Sequence, residues 1–108
     1  MAQADWIDLE REHYATRFVA AATRAGELLV GHGDRERAEQ MARRAIDVDP
    51  WAEDAYAVLV SAALDRGDRS AARRTLDRAL AALADLGVVP SEQMRRLRRR
   101  VRGGGEPV

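Results

Sequence analysis

Six of the eight residues from Arg95 to Arg102 are arginines, at positions 95, 96, 98, 99, 100 and 102. A guanidinium carries forked donors that match phosphate and carboxylate oxygens, so this run can grip a DNA backbone or an acidic protein surface. The charge is local. Residues 1–90 hold 12 arginines against 16 acids, a balance of −4, whereas residues 91–108 hold 6 against 2, a balance of +4. Phosphate contact of this kind is salt-dependent and does not read sequence. No aromatic residue is interleaved to stack on single-stranded bases. The plain alternative is a solvated helix end, where arginines complement the dipole and acids elsewhere in the chain. Met94, Leu97 and Val101, three and four apart, mark the side that packs down.

Other residues that could do chemistry are sparse. His13 and His32 lie far apart with no acidic or cysteine pattern at ligand spacing, so no metal is expected. Ser61, Ser70 and Ser91 are explained by packing, a helix start and a cap. Gly103-Gly104-Gly105 precedes a tail, not a helix, and so forms no phosphate loop. There are no cysteines, which excludes disulfides and thiolate metal sites. The expectation is a protein that is not an enzyme and needs no cofactor. Trp51, beside Pro50, is a candidate protein contact; its more ordinary use is to cover a junction between helix pairs.

The elements that position these residues are helical. Aliphatic content comes mostly from Ala and Leu, strand formers are few, and 108 residues suit one domain. All eighteen basic residues are arginine, which fits a GC-rich coding sequence. No apolar run approaches the ~20 residues needed to span a bilayer. The acidic N-terminus lacks the order of a signal peptide, so a soluble cytoplasmic protein is expected.

Helix one is predicted to open at Asp5 as cap, with Asp8 in its first turn, and to bury Tyr14, Phe18, Ala21, Ala22, Ala25, Leu28 and Leu29. Asp34 should cap a second helix burying Ala38, Met41, Ala42, Ala45 and Ile46, ended by Asp49-Pro50. A third, about 52–66, turns Tyr56, Leu59, Val60, Ala63 and Leu64 inward. Asp68 caps a fourth that stops at Gly87, and Ser91 caps a short fifth after an extended Val88-Val89-Pro90.

Two stretches repeat at a spacing of 34 residues. Gly33-Asp34-Arg35 with Ala38, Ala42, Ala45 and Ile46 matches Gly67-Asp68-Arg69 with Ala72, Leu76, Ala79 and Leu80. That period is the mark of tetratricopeptide-type helix pairs. The fold expected is all-α, with about five helices in tetratricopeptide-like stacked hairpins. Small residues at 38, 45, 72 and 79 let neighbouring helices approach, so a bulky residue at Ala72 or Ala79 should cost about 1–3 kcal/mol. Such folds offer a preformed surface to another macromolecule.

One run goes further. Trp6 and Glu10-Arg11 head helix one, and Ala45-Ile46-Asp47-Val48-Asp49-Pro50 follows Gly33-Asp34. Leu86-Gly87-Val88-Val89-Pro90-Ser91 precedes the arginine-rich helix. In this order the chain resembles the bacterial transcriptional activator domain of actinobacterial antibiotic-regulatory proteins. The Leu-Gly-Val-x-Pro-Ser element is the most specific part. The resemblance covers the later part of that domain over residues 1–102, with 103–108 as a flexible tail or linker start. It implies a non-catalytic interaction module of a transcriptional regulator, supporting dimerisation and contact with RNA polymerase or its sigma subunit. It implies no reading of DNA sequence by this segment.

Members of that family normally carry a further helical hairpin and a winged-helix domain ahead of this segment. Without them, Trp6, Ile7 and Leu9 sit at an uncovered end of the stack and are expected to meet another copy or another part of a longer protein. The alternative in another class is a stand-alone helical-repeat adaptor for a protein or peptide outside transcription. A small-ligand sensor has no convergent polar core residues to support it.

Overall fold

The chain turns twice on the same device. At Gly33 the backbone takes φ +80°, and at Gly67 φ +79°, a left-handed conformation that any side chain would strain. The bonds around them coincide as well. The Asp34 amide donates to the Leu29 carbonyl over 2.9 Å, and the Asp68 amide to the Ala63 carbonyl over 2.9 Å. Each aspartate then caps the next helix, Asp34 accepting from the Arg37 amide and Asp68 from the Ala71 amide. The Gly-Asp pair therefore stops one helix and starts another in three residues.

The computed structural model describes residues 2–103, which form α1 (Ala2–Gly31), α2 (Arg35–Val48), α3 (Glu53–Asp65), α4 (Arg69–Leu86) and α5 (Glu92–Gly103). The all-α, tetratricopeptide-like expectation holds. Between α2 and α3 the device changes. Asp49, ahead of Pro50, is extended at φ −134°, and its carboxylate accepts from the Trp51 amide over 2.9 Å. The buried Tyr56 hydroxyl donates to the Pro50 carbonyl and pins this turn from inside. After α4, Gly87 closes the helix and residues 88–90, in no regular element, lead to Ser91, whose hydroxyl accepts from the Met94 amide over 3.2 Å.

α3 is the hub. It touches all four other helices, and Ala55 to Val60, Ala62 and Ala63 are all buried. Sequence periodicity pointed to one inward face there. The structure buries the helix nearly all round, because neighbours surround it. α2 packs on α1 and α3, and α4 on α3 and α5; each buries a small stripe, Ala38, Ala42 and Ala45 on the one and Ala72 and Ala79 on the other. α5 sits on α3 and α4 through Met94, Leu97 and Val101, as their spacing predicted.

α1 departs from expectation twice. It is helical from Ala2, so Asp5 lies inside it rather than at its cap, and Asp8 falls beyond the first turn. The Asp5 side chain is outside the described residues, as are residues 104–108 of the expected tail; Gly103 closes α5. The buried face is also rotated. Ala22, Thr23 and Gly26 face inward, flanked by Val19, Leu29 and Val30, whereas Tyr14, Phe18, Ala21 and Leu28 face water. The cause is close approach. A Cβ on Gly26 would stand 3.1 Å from Val58 Cγ1 and 3.3 Å from the Ala38 carbonyl oxygen. α2 and α3 come nearest where α1 is smallest, not where it is most apolar.

Candidate interaction surfaces

The two Gly-Asp turns are stitched together on one edge. Glu39, buried in the alanine stripe of α2, accepts from Arg66 at the end of α3 and from Arg43 over 3.1 Å. Arg66 also lies 3.5 Å from Asp68, and Arg35 donates to the Asp65 carbonyl over 3.1 Å. Donation from the Ala71 amide, followed by the nearby Arg66 guanidinium, holds the Asp68 carboxyl below its ordinary value. These links fix the angle between repeats, and so the relation between the two outer surfaces. Glu39 was not legible as a site residue because its partner is 27 positions away.

The six arginines of α5 fall into three groups. Arg95 and Arg99 both reach Glu92, at 2.9 and 3.3 Å, and Arg95 also donates to the Pro90 carbonyl. Bonds from Arg95 and then Arg99 keep the Glu92 carboxyl below the usual carboxylate range. These two arginines fasten the start of α5. Glu53 of α3 does the same by accepting from the Ser91 amide over 3.1 Å. Arg98 and Arg102 line a groove of about 490 Å³ between α4 and α5, floored by Leu76, Leu80 and Val101 and rimmed by Arg73 and Asp77. Arg96 and Arg100 face outward. Among the described residues, Arg96, Arg98, Arg100 and Arg102 have no carboxylate within ion-pair distance. Arg69 of α4 donates to the Val101 carbonyl over 2.7 Å and so serves the last turn of α5. The basic surface thus comprises four open arginines, two committed ones and the groove beside them.

The outer face of α1 is apolar. Trp6, Ile7 and Leu9 are 61, 44 and 64% exposed. Tyr14 at 75%, Phe18 at 42% and Leu28 at 49% extend that surface along α1. The signal that would have found them is the recurrence of Ile7, Tyr14, Ala21 and Leu28 every seven residues. Trp51 lies apart, half-exposed at the α2–α3 turn. His13 is exposed on α1, and His32 donates from Nδ1 to the Leu28 carbonyl over 2.8 Å. No group of three or more His, Cys, Asp or Glu that could hold a metal occurs among the described residues. Nor is any described helix long and apolar enough to cross a membrane.

Between them the two surfaces can bury apolar side chains and pair with anions. The sequence matches the profile of the bacterial transcriptional activator domain over residues 1–102. The chain belongs to that family. The match runs through all five described helices of this chain, from the apolar α1 to the arginine-rich α5. Searches of curated proteins and of solved structures found no match.

Proposed function

We propose that this activator domain is the non-catalytic part of a transcriptional regulator that joins proteins together. It supports dimerisation and meets RNA polymerase or its sigma subunit, in the cytoplasm where polymerase works. The family match over residues 1–102 carries the reading. The packing supports it: helix pairs locked at their turns present surfaces that lose little entropy on binding. Trp6, Ile7, Leu9 and Trp51 suit a protein interface. The open arginines, Arg96, Arg98, Arg100 and Arg102, suit acidic side chains of a polymerase subunit. Any contact they make with DNA is to its backbone alone.

The test is to fuse the chain to an unrelated DNA-binding domain whose site lies upstream of a weak promoter. The expected result is several-fold activation of a reporter, together with co-purification of polymerase. Both should fall when Arg96, Arg98, Arg100 and Arg102 are changed to Glu. A fusion that binds its site, neither activates nor retains polymerase, and behaves like the unfused DNA-binding domain would refute the reading.

A further inference from the structure

The exposed stripe on α1 follows a heptad rhythm. Ile7, Tyr14, Phe18, Ala21 and Leu28 are separated by 7, 4, 3 and 7 residues; the half-buried Ala25 fills the alternation of four and three from Tyr14 to Leu28, and Arg11 takes the seam position between Ile7 and Tyr14. This is the seam along which two helices interlock side by side. From Ile7 to Leu28 it runs about 32 Å at 1.5 Å per residue. An apolar stripe of that length, interrupted at Arg11 alone, marks a surface that is covered in use.

The charges beside the stripe choose its cover. Glu10, Arg17 and Arg24 stand seven residues apart along the outer flank, acid at one end and base at the other. Arg24 has only a 3.9 Å approach to Glu27, beyond hydrogen-bond distance, so its donors are available. A helix of the same sequence laid antiparallel brings Glu10 against Arg24 twice, once at each end, whereas a parallel one turns this flank toward Ala15, Ala22 and Leu29 of the other copy and leaves both charges unpaired. The apolar register agrees. With Tyr14 over Phe18 of the other copy, Ile7 reaches Ala25 and Arg11 reaches Ala21, so the two rings lie at the centre and smaller side chains flank them.

We infer that α1 pairs antiparallel with α1 of a second copy, with Tyr14 and Phe18 at the centre and Glu10–Arg24 pairs at both ends. The inference rests on the reading that the domain dimerises, and names the surface and direction. Such an interface is two-fold and self-complementary, so it closes as a dimer and does not grow into a filament. Arg17 meets Arg17 near the axis, the one like-charge approach on this flank.

Light scattering on the purified chain across a wide concentration range should approach twice the 12.0 kDa chain mass. Phe18→Glu should return it to a single-chain mass with helicity unchanged, because Phe18 is on the surface. Glu10→Arg or Arg24→Glu alone should weaken association about tenfold, and the two together should restore it. The chain has no cysteine, so crosslinking is clean. Under mild oxidation Arg17→Cys should give a covalent dimer, and Glu10→Cys should not. A dimer that crosslinks through Glu10→Cys but not Arg17→Cys overturns the antiparallel pairing and leaves dimerisation intact. Masses beyond two chains point to end-to-end stacking and also overturn it. A single-chain mass throughout removes dimerisation itself, while polymerase contact still stands or falls by the reporter.

Discussion

α1 and α5 both pack on α3 and divide their residues in opposite ways. α5 hides every large apolar side chain it has, Met94, Leu97 and Val101, and shows water its arginines. α1 hides small residues, Ala22 and Gly26 among them, and shows water Tyr14, Phe18 and Leu28. The difference assigns the forces. What meets α5 must do so by charge, because no apolar area on its outer side is left to bury. What meets α1 gains by covering apolar area, and charge there serves direction.

Substitutions can break that contrast, and the largest effect belongs inside α5. Met94 is fully buried, so Met94→Ala should lower unfolding free energy by about 2–5 kcal/mol in denaturant titration. A smaller loss would mean that α5 docks loosely. Within α1 the sensitive residue is a small one. Ala22→Leu should cost about 1–3 kcal/mol by overpacking, since the side chain is almost wholly enclosed; a neutral result would place α2 and α3 further away than described.

The third test is pH. The folded Glu92 carboxyl lies below its ordinary value near 4.5, so its contribution is present above that pH and is lost as pH falls through the depressed value. Glu92→Gln should therefore lower the melting temperature slightly at neutral pH and flatten its decline on the acid side. The smallest effect is expected at the most exposed ring. Tyr14→Ser should change stability by less than about 0.5 kcal/mol and yet reduce self-association.

Much of the fold was legible because its signals are local. A glycine stop and an aspartate cap act within a few residues of themselves, so Gly33-Asp34 and Gly67-Asp68 could be read directly. α5 was legible because its only three large apolar residues fall on one side. α1 was misread because apolar residues wrap more than one face, and spacing alone does not say which face a neighbour will take. That choice was made at Gly26, by Val58 and Ala38 from other helices. The arginine cluster was visible as composition. Its division into fastening and open members was not, because Glu92 selects Arg95 and Arg99 by geometry. Glu39 was hidden for a related reason: an acid within an alanine stripe reads as solvated until Arg66 arrives from the next helix.

α3 reaches neither surface, but both depend on it. Because it lies against every other helix, neither end can detach without exposing the wall formed by Val58, Leu59 and Val60. The domain should therefore open as one cooperative unit, with the amides of α3 last to exchange their hydrogens for deuterium. A protease given the folded chain would find no intermediate that keeps one surface and sheds the other. The regulator's two modes of contact would share a single lifetime.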